Sequence, residues 1–338
     1  MAETVLKAPE VADALEQAAD PVRARLVLAR LAEAQPELAE RLPEDRLLLS
    51  AVVALAGASR SLSEAAIADP ALLECVTEPA ALAGECPVDW FSAMATAALE
   101  DGADDPAGAL RRWKRKELTR IAVRDLLNLA DLPAVGRELA ALAQACLEAA
   151  LRLAQPAEPV TVIGMGKLGG QELNYASDVD VLFVHEGRPA EAERTARSVL
   201  STMASPGPHG IVFRTDAALR PEGRAGPLSR TLDAYQAYWD KWASTWEFQA
   251  LIKARPVAGD AGLAARFIDA AAPHVWPERL DPDAVRAVRA MKARAEEEVS
   301  RRGLAEREIK RGRGGLRDIE FAVQLLQLVH ARHDPGIR

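Results

Sequence analysis

Two aspartates, Asp178 and Asp180, stand one residue apart and lead into the apolar run Val181-Leu182-Phe183-Val184. Strand side chains repeat every two residues, so both carboxylates face the same way. Carboxylates held side by side repel each other unless a cation lies between them. Upstream, the run V-T-V-I-G-M-G-K-L-G-G at 160–170 places a glycine-rich turn after a β-branched segment. Bare backbone in such a turn can approach a phosphate closely. A third acid, Asp216, ends the alternating run 211–216. Three carboxylates can hold two magnesium ions: one activates an attacking oxygen, the other stabilises the leaving oxygen of an in-line displacement at phosphorus. The pattern therefore points to metal-dependent nucleotidyl transfer, with Asp178, Asp180 and Asp216 as catalytic metal ligands and 164–170 as the turn beside them.

Two other chemistries compete for the glycines. Gly164, Gly166 and Gly169 follow a strand with dinucleotide-fold spacing, and Glu186 could serve as the ribose-binding acid. A crossover helix, however, needs more room than residues 170–178 allow. A Walker-type loop needs Lys followed by Ser or Thr, and here Leu168 follows Lys167. The bland alternative, surface aspartates capping turns, suits Asp178 but not Asp180, which sits inside an apolar strand where an unpaired acid is costly.

The elements that must position these residues are mostly helical. The 338 residues suffice for two or three structural units, and a net charge of −8 argues against nucleic-acid binding by bulk electrostatics. No apolar stretch is long enough to span a bilayer, and Met1–Lys7 lacks the basic start and apolar core of a signal peptide, so a cytoplasmic location is expected. Cys75, Cys86 and Cys146 are too widely spaced for a disulfide framework or a zinc pattern and read as free thiols. Helical text fills the N-terminal region, residues 1–155. Within it, the basic run Arg111-Arg112-Trp113-Lys114-Arg115-Lys116 reads first as a solvated helix face and otherwise as a meeting point for an acidic partner or nucleic acid. The core, 156–260, is expected to hold strands at 160–163, 179–184 and 211–216, then one long helix over 232–252. That helix's stripe of Tyr235, Tyr238, Trp239, Trp242 and Trp246 reads as packing. Residues 261–338 form a C-terminal helical region, with helices over 263–272, 283–302 and 319–330. The last is apolar on more than one face and expects neighbours on both sides. The stop at Arg338 reads as a cut.

The stretch G-M-G-K-L-G-G-Q-E-L-N-Y-A-S-D-V-D-V-L-F-V resembles the glycine-and-acid signature of the bacterial glutamine synthetase adenylyltransferase family, bifunctional adenylyl-transferring and adenylyl-removing enzymes. L-R-P-E-G at 219–223, W-E-F-Q-A-L-I-K-A-R-P-V-A-G-D at 246–260, G-R-G-G-L-R-D-I-E-F at 312–321 and R-R-W-K-R-K-E-L-x-R-I-A at 111–122 match the same family. The resemblance spans about residues 110–332. It implies an α+β, mostly helical fold: a polymerase-β-like nucleotidyltransferase core with a small mixed sheet, flanked by helical regions. It also implies that Gly164, Gly166, Gly169 and Gly170, with Ser177, form a phosphate-facing turn. Arg220, Lys253 and Arg255 become candidates to clamp the attacking phosphate or the α-phosphate, with Lys310 and Arg317 behind them. Ala218 stands where many members carry Arg in R-L-R-P, which puts one anion contact in doubt.

Members carry two such units in one chain. The long helical lead-in and the early position of the motif resemble the N-terminal, adenylyl-removing unit. That unit would use two Mg2+ ions and inorganic phosphate to release ADP from the adenylylated tyrosine of glutamine synthetase. The PII signalling protein is an implied partner of the full-length enzyme. Forward adenylylation from ATP, and a non-catalytic module that only binds glutamine synthetase or PII, remain the alternatives. His185 and His209 read as structural or solvent-facing.

Overall fold

Aspartate placed just before a helix starts several of these elements. In the computed structural model, which describes residues 2–77, 79–279 and 281–338, Asp20 and Asp105 each precede a proline at the first helical position. Their side chains accept from the N–H groups of Arg23 at 3.0 Å and Gly108 at 2.9 Å. These bonds satisfy donors that a helix start otherwise leaves orphaned, and proline fits where no N–H is needed. The chain divides into two compact units: Met1–Leu153 with Gln171–Ser177 and Val199–Arg214, and Ala154–Gly170 with Asp178–Ser198 and Thr215–Arg338. Residues 261–338 thus cluster with the sheet. No helix among the described residues is long and apolar enough to cross a membrane.

The first unit is helical. Helices α1 (Ala2–Leu6), α2 (Pro9–Glu16), α3 (Pro21–Ala34), α4 (Pro36–Arg41), α5 (Arg46–Ala58), α6 (Arg60–Ala68), α7 (Ala71–Glu74) and α8 (Pro79–Leu82) lead to α9 (Val88–Asp101), α10 (Pro106–Leu126) and α11 (Leu132–Ala154). Leu28, Leu31, Leu48 and Leu55 lie in one buried cluster with Val123 of α10. Cys75 and Cys146 are buried free thiols, pushed up to about 12 by burial.

An ion cluster ties α10 to α11. Glu138, fully buried, accepts from Arg120 Nη2 at 2.7 Å and also from Arg124. Arg120 Nε reaches Glu117 at 2.8 Å, and its guanidinium lies 5.7 Å from the ring centres of both Trp90 and Phe91. Charges this deep are tolerable only because each finds an opposite one.

The basic run is the expected solvated face only in part: Arg112 is exposed and 113–116 are half-buried, but several of its side chains find partners within the unit. Arg111 is buried and donates to the Ser205 carbonyl at 3.3 Å, Arg112 reaches His209 at 3.3 Å, and Lys114 stands 4.4 Å over the Phe213 ring. Residues 199–214 therefore belong to the helical unit. This also explains why the expected strand 211–216 shrinks to β3 (Thr215–Asp216): Phe213 N–H donates to Met203, and Arg214 turns to the Ala176 carbonyl.

The second unit is built on a mixed sheet. Strands β1 (Val160–Gly164), β2 (Val179–His185), β3, β4 (Ser229–Thr231) and β5 (Arg255–Gly259) give the order β3-β2-β1-β5, with β4 also on β2. β1 pairs antiparallel with both β2 and β5, while β3 and β4 pair parallel with the two ends of β2. The mixed sheet in a mostly helical chain is the fold class read from the sequence. Strand β5 was hidden by Pro256, which is tolerated because β5 lies at a sheet edge beside a register shift.

Four helices cover or follow this sheet: α12 (Gly166–Gly169) in the glycine turn, α13 (Pro189–Ala204), then α14 (Leu232–Lys241) and α15 (Thr245–Leu251). The long helix expected over 232–252 is therefore two. Ser244 and Glu247 form a capping box that restarts the chain, with Ser244 N–H donating to Glu247 at 2.9 Å. Tyr235 and Trp239 pack on Phe267 at 5.2 and 5.3 Å, as expected, whereas Trp242 is 75% exposed.

Phe267 belongs to α16 (Ala261–Val275), which lies on the sheet and runs through Pro273 for two more residues. α17 (Pro282–Arg301) and α18 (Leu316–His330) follow. Gln249 of α15 bonds Gln324 of α18 at 2.6 Å in a buried contact. Ile319, Val323, Leu326 and Val329 nonetheless remain exposed, so α18 has a neighbour on one side and an open apolar face on the other.

The buried ion cluster yields a stability prediction. Glu138→Gln leaves the Arg120 and Arg124 charges without their shared carboxylate, and urea unfolding should show a loss of about 3–5 kcal/mol. A loss below about 1 kcal/mol would show that the cluster does not hold α10 to α11.

Candidate active site

Strand pairing brings two of the three acids together. In the parallel pair of β2 and β3, Asp180 is the register partner of Asp216. Asp178 comes two residues before Asp180, just ahead of β2, and is exposed. The electrostatics record their closeness. Burial, followed by the carboxylates of Asp216 and Asp178, pushes Asp180 up to about 6, and Lys310 and Lys167 oppose that rise. Lys167 and Lys310 thus join the field of the acids from the glycine turn and from the loop before α18. Lys310 is already among the expected clamps; Lys167 is not, and the signal that could have found it is a lysine inside the glycine-rich turn.

Magnesium prefers oxygen donors, and three carboxylates supply only oxygen. Their mutual repulsion is what a cation relieves. In charge and donor type the set suits that ion. Among the described residues, however, no three His, Cys, Asp or Glu side chains converge into a ready metal cage. Asp216 turns one oxygen to the Ala218 N–H at 2.7 Å.

The glycines earn their places by backbone crowding. A Cβ on Gly169 would collide with the Lys253 carbonyl and come within 2.7 Å of the Gly164 carbonyl. Gly166 has φ +51°, and a Cβ there would lie 2.7 Å from an Asp180 carboxylate oxygen. Met165 N–H donates to the Asp180 carbonyl at 2.9 Å. The turn is therefore wedged between the acid strand and the start of β5. Gly170 closes α12 and is exposed.

The expected clamps are placed differently from one another. Arg255 lies across the turn, donating to the Gly169 and Leu168 carbonyls at 3.1 Å each, and burial lowers its pKa. Lys253 reaches Glu320 of α18 at 3.5 Å. Arg220 is buried, and its guanidinium donates to the Ala217, Gly226 and Arg224 carbonyls at 2.7, 3.1 and 3.3 Å. It staples the loop 217–226. Ser177 groups with the first unit, in the segment Gln171–Ser177, and directly precedes Asp178 in the chain. Arg317 sits over Phe321 at 5.7 Å. His185 is buried at the far end of β2 from Asp180 and bonds Ser229 at 2.8 Å.

Comparison with known proteins gives the family. The family model described as glutamate-ammonia ligase adenylyltransferase matches residues 49–270. The chain belongs to this family. A second family model, described as PII-uridylyltransferase, matches residues 289–336. Relatives named bifunctional glutamine synthetase adenylyltransferase/adenylyl-removing enzyme include that of Streptomyces avermitilis, 41% identical over 360 residues that cover 99% of this chain and 35% of the relative. The Mycobacterium avium protein is 41% identical over 344 residues, covering 96% and 34%. That of Corynebacterium efficiens is 37% identical, covering 90% and 33%. The chain spans about a third of the length of the curated relatives it matches.

The crowding at the turn is testable without substrate. Gly169→Ala forces the Lys253 carbonyl away and should cost about 1–3 kcal/mol in thermal or urea unfolding. An unchanged midpoint would show that β5 and the turn are not packed this closely.

Proposed function

We propose that this chain is the adenylyl-removing part of its family's bifunctional enzyme. It would catalyse magnesium-dependent phosphorolysis of the adenylylated tyrosine of glutamine synthetase, releasing ADP and adjusting nitrogen assimilation. The observation that carries the proposal is Asp180 set in register with Asp216, with Asp178 two residues away and a glycine turn packed against them. Magnesium ions held by Asp178, Asp180 and Asp216 would neutralise the AMP phosphate and the departing tyrosinate.

The chain's own residues divide the remaining work. β1, β2 and β3 set the spacing of the acids. Arg255 holds the glycine turn against β5 through two carbonyls. Lys167 and Lys310 supply positive charge beside the acids, where anionic groups of a nucleotide need it. The direction of the reaction is supported by what the nucleophile requires. Tyrosine as attacker, with an ordinary pKa near 10, needs a base. Inorganic phosphate is already ionised and needs none. His185, the histidine carried by β2, sits at the opposite end of the strand from Asp180. Glutamine synthetase as substrate, and PII as a partner of the longer enzyme, belong to the same proposal.

The decisive assay mixes this chain with adenylylated glutamine synthetase, phosphate and magnesium. ADP should appear, and Asp178→Asn or Asp180→Asn should reduce its rate by about 100-fold or more. AMP incorporation from ATP into unmodified synthetase, without ADP release, would overturn the direction. Stoichiometric binding with neither reaction would leave a binding module. Metal dependence has its own readout. Mn2+ titrated against the chain alone and followed by electron paramagnetic resonance should bind at least tenfold more weakly to Asp180→Asn. Equal binding by that variant would remove Asp180 from the metal site.

A further inference from the structure

The first unit contains a polar concavity that shares Ser177 with the expected phosphate-facing turn but none of the three acids. It has a volume of about 380 Å³ and is walled by Lys114 and Arg115 of α10, by Ser61, and by residues of 175–177 and 210–214, including Tyr175, Ser177 and Arg214. No aspartate or glutamate lines it, although the chain as a whole carries a net charge of −8. Arg214 is tied to the Ala176 carbonyl, which fixes the wall. Lys114 and Arg115 differ: among the described residues, neither side chain has a hydrogen-bond or ion-pair partner, apart from the Phe213 ring under Lys114 at 4.4 Å. The wall also makes room for them. Gly210 has φ +81°, and a Cβ there would lie 2.7 Å from Arg115 Nη2. Burial lowers Lys114 to about 8, with Cys146 opposing the shift and Arg115 adding to it, so the ammonium is held at a cost that an anion would relieve.

From this geometry we infer that the concavity is an anion-binding site for a phosphoryl group, either as inorganic phosphate or as the terminal phosphate of a small nucleotide. Two unpartnered cations call for a group carrying about two negative charges, as a phosphate does near neutral pH and a single carboxylate does not. Arginine offers a planar fork of donors and lysine a point charge, a pairing that suits the several acceptor oxygens of a phosphate. The Ser61 and Ser177 hydroxyls add donors on the same walls. The site is independent of the acids on β2 and β3 and does not require magnesium.

That independence makes the test clean. Phosphate and ADP are titrated separately into the 338-residue chain by calorimetry at pH 7, in chloride buffer containing EDTA. Binding of either supports the site, and the two titrations distinguish the free ion from the nucleotide. Arg115→Gln, on a partly exposed side chain, should weaken that binding by about tenfold or more, the effect of losing a charged hydrogen bond. Its unfolding midpoint should stay at that of the parent chain. Asp180→Asn should bind as the parent does, while losing any phosphorolytic activity. Absence of binding in EDTA, or binding unchanged in Arg115→Gln, overturns the inference. So does binding lost in Asp180→Asn but kept in Arg115→Gln.

Discussion

An acid held in an apolar strand next to other acids is the constraint around which the second unit is arranged. Asp180 follows Val179 and precedes four apolar residues, so its backbone belongs to the sheet while its carboxylate faces Asp216 across a parallel pair. That placement raises its pKa and requires positive charge nearby. The rest of the unit is consistent with this need. The glycine turn brings Lys167 close, the loop before α18 brings Lys310, and β5 enters against Gly169 where no side chain would fit. A site of this kind is rigid in its backbone and highly charged in its side chains, which suits the handling of phosphoryl groups.

The first unit solves a similar problem by pairing. Glu138 is as deeply buried as any apolar residue, but two guanidiniums share it, and aromatic rings cover one of them. Where charge is matched inside the protein, it fastens α10 to α11. Where it is unmatched, at Lys114 and Arg115, it lines a concavity. One helix thus carries both arrangements within about three turns. Its basic sequence looked uniform because a run of Arg and Lys does not state which of them will meet a carboxylate, a carbonyl, a ring or a ligand.

Local signals were legible wherever the chemistry is local. Asp-Pro helix starts, the β-branched strand at 160–164 and the acid-bearing strand after 178 can all be read from residue types. The break near 243 was legible too, in Ser244-Thr245-Trp246-Glu247, but the continuous aromatic stripe masked it. Short strands were not legible. β4 is three residues without an apolar pattern, and β5 contains a proline, so only their partners on β2 and β1 make them strands. The run 211–214 alternates as a strand should, yet its residues are taken up by α10 and α13 before the sheet can use them.

The sequence by itself determined the family to which the chain belongs and singled out the residues proposed to bear the chemistry, because both depend on residue types at short spacing. Asp178, Asp180 and the glycines of 164–170 are fixed by an alternation of two and by a turn of a few residues. Only the tertiary structure decided what each charged side chain is employed to do. It set Asp216 opposite Asp180 and gave Arg220 to the carbonyls of its own loop. It placed Ser177 in the helical unit and, within the basic run, buried Arg111 while leaving Arg112 exposed. The reason is physical. Hydrogen bonding, burial and charge compensation depend on neighbours, many of them tens of residues away in the chain, and such contacts exist only once the chain has folded.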